Sequence, residues 1–175
     1  MKVLNFMFVL ALIAIGTNKL FAQNDTVRTD PLKEIFTAYL GVEISLAKEN
    51  EDEAGVSGKK LYNLLNAFSM DKPTDEQFNA WTKNSKKILN DADHIAEMTI
   101  LEHQREHFNK LSKGLFEVVK AFKTNTNNIY YHYCPEAHDG KGACWLSDNE
   151  KGGNPYFGDK KPDCDSLKEI IKGNL

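Results

Sequence analysis

The chain has 175 residues, with 22 Lys and Arg against 25 Asp and Glu and a formal net charge of -3. That length suits one domain with a real core. The mildly acidic balance argues against a nucleic-acid partner, which would need a basic face.

Lys2 precedes an apolar run over 3–15, and Leu20-Phe21-Ala22 leads into Gln23. A charged start, a short apolar stretch and a small residue at the junction predict a signal peptide over 1–22. The run falls short of the ~20 residues a spanning helix needs and is followed by Gly16, Asn18 and Lys19. An uncleaved anchor is the alternative. No cysteine follows the junction to carry a lipid, and no later segment is apolar enough to cross a membrane. The expected location is the periplasm or the exterior, without membrane insertion after cleavage. Cleavage would remove Lys2 and Lys19 and leave a more acidic mature chain.

Residues 23–29 read as a flexible leader. Asp30 can then cap a helix with Pro31 at its first position, and Leu32, Ile35, Phe36, Tyr39, Leu40 and Ile44 recur at helical spacing as far as Ala47. The charged run 48–53 reads as a solvated turn; it lacks the spacing and glycine of a calcium loop. A second helix is predicted over 52–69 on Leu61, Leu64, Leu65 and Phe68, with Gly55 and Gly58 weakening its start. A third begins after Pro73 with a Thr74–Gln77 capping box, carries Phe78, Trp81, Ile88, Leu89 and Ala92, and is expected to bend at Asn90-Asp91. A fourth starts from a capping box at Thr99 and carries Leu101, Phe108, Leu111, Leu115, Val118, Val119 and Phe122 as a wide apolar stripe. Four one-faced helices on short connections predict an all-α fold, an antiparallel four-helix bundle.

The code changes at Asn125. Ile129-Tyr130-Tyr131-His132-Tyr133 is aromatic and β-prone, predicting a short strand or extended segment. Glycine- and proline-rich loops follow, with a short helix expected over 166–171. The fold expectation is therefore one domain over 23–175, with an irregular cysteine-containing C-terminal tail, loop segment 129–165, packed against the bundle. Trp145, Tyr156 and Phe157 would seek a core or line a groove.

All three cysteines, Cys134, Cys144 and Cys164, lie in this tail. Thiolates suit copper or zinc, with His132 or His138 as a complementary imidazole, although no compact zinc-finger spacing is present. An oxidising compartment equally favours a disulfide. Three cysteines allow one bridge and one leftover thiol, and a Cys134–Cys164 bridge would close the tail into a loop. The alternative for Cys144, next to Trp145, is simple burial. On the helices, His94 and Met98 form an i,i+4 pair near Asp91, which makes His94 a further candidate ligand; His103 and His107 read as surface residues. A cysteine nucleophile lacks a recognisable orienting group and no phosphate-cradling loop opens a helix, so no enzyme is expected.

Several motifs together resemble a known family. They are Gln104-Arg105-Glu106-His107-Phe108 with Leu111-Ser112, Tyr131 through Cys134-Pro135, Trp145-Leu146-Ser147, and Asn154-Pro155-Tyr156-Phe157-Gly158 with Cys164. In that order and spacing the chain resembles the secreted bacterial domain of unknown function 3347, which also occurs attached to periplasmic adaptor subunits of heavy-metal efflux systems. The resemblance implies a helical bundle and a role with copper or related metals. This sequence departs from the family's pattern at three places. Glu136 stands where a methionine usually follows Cys-Pro, Lys161 where a methionine precedes the last cysteine, and Asp165 where a glycine follows it. Cys144 is outside the usual pattern. The first functional expectation is an extracytoplasmic copper- or zinc-binding or handling protein, with Cys134, Cys164 and His94 or His132 as ligands and a metal efflux or delivery protein as partner. Arg105 would clamp the tail through its planar fork. The alternative is a non-enzymatic interaction or ligand-binding module with a structural disulfide and no metal.

Overall fold

The computed structural model describes residues 30–161 and 163–174. The expected signal peptide, 1–22, and the leader, 23–29, lie outside the described residues. Asp30 caps the first helix, α1 (Pro31–Ala47), by accepting the Leu32 amide at 3.0 Å, with Pro31 where no amide partner is needed. Asn50 caps α2 (Glu51–Ala67) through the Glu53 amide, so half of the charged run expected as a turn is instead a first helical turn. Glu51, Asp52 and Glu53 there complement the positive end of the helix dipole. The capping box Thr74–Gln77 opens α3 (Asp75–Glu97), which continues unbroken past Asn90-Asp91, where a bend was expected.

Helix α4 (Leu101–Phe122) departs from expectation at its start. Ile100 occupies the cap and no side chain caps the helix, so the Thr99 capping box does not form. The junction is held from inside α4 instead: the fully buried Gln104 donates from Nε2 to the carbonyls of Ile95 and Met98 at the end of α3, and to that of Glu51 at the start of α2.

Successive helices run antiparallel. Gly41 of α1 faces Ser57 of α2, Gly58 of α2 faces Ile95 and Ala96 of α3, and Gly114 of α4 faces Ile88 of α3. At Gly58 an added Cβ would stand 2.8 Å from the Ile95 side chain and 3.0 Å from the Ala96 amide nitrogen. The residue read from sequence as a weak start to α2 is therefore what lets α2 and α3 approach. Tyr39, Val42 and Leu46 of α1, Leu61 and Leu65 of α2, Ile88 and Ile95 of α3, and Phe108, Leu111 and Leu115 of α4 form one buried core.

The tail is not irregular, and the fold is not all-α. Strands β1 (Ile129–Cys134), β2 (Ala143–Ser147) and β3 (Ser166–Ile171) form an antiparallel sheet in the order β2-β1-β3. His132 lies opposite Trp145 on β2, and a bulge between Tyr131 and His132 interrupts the pairing with β3. Residues 166–171, expected as a helix, are β3. Six residues are too few to sustain a helix unaided, whereas the open edge of β1 satisfies their backbone groups. A disulfide joins Cys134 at the end of β1 to Cys164 just before β3, with Cα atoms 5.1 Å apart and a sequence separation of 30. Loop-entropy arguments give such a closure about 3.5 kcal/mol.

Three side chains from the helices dock the sheet and tail. Ser112 Oγ donates to the Phe108 carbonyl at 2.7 Å, so the Tyr39 hydroxyl, 2.7 Å away, donates to Ser112 and accepts the Leu146 amide at 2.9 Å. One phenol thus joins α1, α4 and β2. Phe116 stacks on Tyr131 at 4.1 Å. Arg105, only 8% exposed, donates from Nε to the Pro155 carbonyl at 2.8 Å and from Nη2 to the Leu46 carbonyl at 3.2 Å, with the Glu49 carboxylate 3.6 Å away. The clamp anticipated for Arg105 is present, and it also holds the end of α1.

A lysine at 105 would keep the charge but lose the fork. Arg105→Lys is expected to lower stability by about 2 kcal/mol in urea unfolding. Amides over 154–158 should exchange faster than the bundle core in a hydrogen-exchange measurement.

Candidate functional site

The four residues expected to ligate a metal are not gathered into one centre. Cys134 and Cys164 are bonded to each other. His132 is fully buried; its Nδ1 lies 2.7 Å from Asp165 Oδ1 and its Nε2 3.3 Å from the Asn149 carbonyl, while its ring stacks on Trp145. Both ring nitrogens are therefore engaged by the protein itself. His94 belongs to a different neighbourhood, where its ring lies 4.5 Å from that of His107, and His107 Nδ1 is 2.9 Å from Asp91 Oδ1. The His107 ring, read from sequence as surface, is therefore partly enclosed between α3 and α4. Among the described residues no group of three or more His, Cys, Asp or Glu side chains is disposed to hold a metal ion.

The three departures from the family pattern have partners of their own. Glu136 and Lys161 form an ion pair between the two segments that the disulfide joins, and Asp165 holds His132. Cys144 is the remaining thiol. It is buried, accepts from the Tyr131 hydroxyl at 2.9 Å and sits 3.5 Å from Asn109 Oδ1. Burial pushes its pKa up, which keeps it a thiol rather than a reactive thiolate.

The run Asn154-Pro155-Tyr156-Phe157-Gly158 folds around Asn154. Its Oδ1 accepts the Tyr156 and Phe157 amides, and its Nδ2 donates to the Cys164 carbonyl at 2.9 Å. Tyr156 donates to the Cys144 carbonyl. Gly158, at φ 55°, passes so close to α1 that a Cβ would stand 2.6 Å from the Ala47 carbonyl oxygen. These motif residues build the dock between tail and bundle.

What the molecule leaves open lies elsewhere. A cavity of about 160 Å³ is bounded by α1, the end of α4, the loop 124–128 and the start of β1. Leu32, Phe36, Leu40, Val119 and Ile129 give it apolar walls, and Asp148, just after β2, lies at its edge. Asn125 also lines it. The Asn125 amide nitrogen donates to the carbonyls of Asn127, Ile171 and Lys172, yet its Oδ1 is buried without a partner. One turn beyond Leu40, Glu43 is only 4% exposed and has no hydrogen bond or ion pair among the described residues. Its pKa is pushed up to about 8, first by burial and then by the field of Asp148.

Sequence reasoning passed over Glu43, Asn125 and Asp148. Glu43 had a legible signal, since it places a carboxyl on the helical face that carries Phe36 and Leu40. The role of Asp148 depends on the docking of β2 beside α1, which no local pattern encodes.

The family described as "Protein of unknown function (DUF3347)" matches residues 35–127. The match spans α1 to the end of α4 and covers more than half the chain, so the protein belongs to that family. No curated protein and no solved structure matches the chain.

The raised pKa of Glu43 makes stability depend on pH. Folded protein keeps a proton that the unfolded chain releases above about 4.5, so stability falls as pH rises from about 4.5 to about 8 and levels off beyond. Glu43→Gln is expected to flatten that slope, as read by urea midpoints at pH 5 and pH 8. An identical slope in both proteins would contradict the assignment.

Proposed function

We propose that this family member is a non-enzymatic, extracytoplasmic binding module that takes a small, largely apolar ligand in the cleft between α1 and the 124–128 loop. The observation that carries the reading is the cleft itself: five apolar side chains form its walls, and Asn125 and the Asp148 carboxylate are among the polar residues that line it. Apolar concavities with a few polar groups are the usual form of small-molecule sites. The Cys134–Cys164 bridge supports an oxidising compartment, as do the charged start and apolar run at the N-terminus. Among the described residues no helix is long and apolar enough to cross a membrane.

Copper or zinc handling, with a metal efflux or delivery protein as partner, is what the family resemblance implies. That role would draw on Cys134 and Cys164 as thiolates, and their bridge withholds both sulfurs. The binding-module reading is preferred for that reason.

Titration with the neutral fluorophore N-phenyl-1-naphthylamine tests it. One saturable site per chain is expected, lost in Leu40→Arg while the circular dichroism spectrum is retained. Absence of saturable binding, or binding unchanged in the variant, would contradict the reading.

A further inference from the structure

The polar part of the cleft lining carries no net charge. Lys33 and Asp148 are its two charged residues, and their charges are opposite. Most of its other polar groups come from one loop, 124–128. That loop is braced by the C-terminal segment. Asn125 Nδ2 donates to the carbonyls of Asn127, Ile171 and Lys172, and the Asn125 carbonyl accepts the Asn174 amide at 2.9 Å. Asn128 Oδ1 accepts the Gly173 amide at 3.2 Å. These bonds tie the loop to the end of β3 and occupy the amide nitrogen of Asn125 and the amide oxygen of Asn128. Among the described residues they leave the Thr124 and Thr126 hydroxyls and the Asn127 side-chain amide without a hydrogen bond. Each of those three groups can both donate and accept.

We propose that the cleft selects neutral amphiphiles with a small apolar body and a head of two or more hydroxyl groups, seating the body against Phe36, Leu40, Val119 and Ile129 and the head on the 124–128 loop. This deepens, and rests on, the binding-module reading above. The cavity measures about 160 Å³. An engineered apolar cavity of about 150 Å³ holds benzene, so the body corresponds to one aromatic ring or a short alkyl chain.

A charged head fits poorly. It would meet one attractive and one repulsive charge on the lining, and hydrocarbon walls would not repay its lost hydration. A head with one hydroxyl would leave loop groups without a ligand partner. A vicinal diol brings two donors and four lone pairs, which matches groups that both donate and accept. Because the loop is already tied in place, little ordering entropy is spent when the head binds.

Isothermal titration with 3-phenoxypropane-1,2-diol, 2-phenylethanol, phenethylammonium chloride, sodium 3-phenylpropionate and L-phenylalanine provides the test. The diol is expected to bind about fivefold more tightly than the alcohol, as one further hydrogen bond would give. The two ions and the zwitterion should bind more weakly than the alcohol. Thr124→Val and Thr126→Val each remove one hydroxyl at an exposed position. Each should cut the preference for diol over alcohol about threefold. Equal affinity for diol and alcohol, or a preference unchanged in both variants, would overturn this inference while leaving the binding module intact. Tighter binding of the ammonium, the carboxylate or the zwitterion than of the diol would overturn it too. Failure of all five compounds would likewise overturn it, and together with failure of the neutral fluorophore would overturn both readings.

Discussion

Arg105 carries a permanent positive charge into a position that is only 8% exposed. Desolvating such a group costs several kcal/mol unless its donors are met. Its environment meets them with the Leu46 carbonyl at the end of α1, the Glu49 carboxylate just beyond it and the Pro155 carbonyl of the tail. Those acceptors come from two separated stretches of chain, so the cation on α4 fixes their relative positions. Its neighbour Gln104 does the same without charge for the end of α3 and the start of α2. Two adjacent residues on α4 thus bond carbonyls at the ends of α1 and α3 and tie them to the tail and to the start of α2. With the tail held there, Tyr39 can reach Leu146, Trp145 can stack on His132, and Asn154 can fold the segment that ends at Cys164.

This arrangement gives the motif residues a physical meaning. Gln104, Arg105 and Phe108 close helix ends and core, and His107 is held by Asp91. Gly158 allows the closest approach of tail to α1. Glu136 and Lys161, standing where the family resemblance places methionines, form an ion pair across the same two segments that the disulfide connects. Both are about half exposed, so the pair contributes little stability. The two positions carry opposite charges that satisfy each other. Asp165, at the third departure, engages the one imidazole nearest the bridge in sequence.

The helices were legible because their signals are local. Asp30-Pro31 and Thr74 with Gln77 cap as their chemistry dictates, and the apolar spacing of α4 locates the core face. The sheet was only partly legible. The β-prone run 129–133 announced β1, but β3 owes its form to the edge that β1 offers, so residues 166–171 were misread as helix. Gly58 was taken as a weakness because its neighbours on α3 lie far away in sequence. The expected ligand set was likewise drawn from composition, and the structure does not bring it together. Composition places cysteines and histidines in the same chain, but only the fold decides that the two sulfurs meet each other while His94 meets His107. The cleft was the least legible feature. It is assembled from α1, the end of α4, the loop after it and the start of β1, and Asp148 on its lining comes from beyond β2.

The central claim is that Cys134 and Cys164 hold the tail together and are not thiolate donors to a metal. Intact-mass measurement tests it directly, on protein purified without chelator or reductant and alkylated after denaturation. The account predicts one alkylated cysteine, Cys144, before reduction and three after it. Three alkylated cysteines without reduction, accompanied by copper or zinc retained at one ion per native chain, would contradict it.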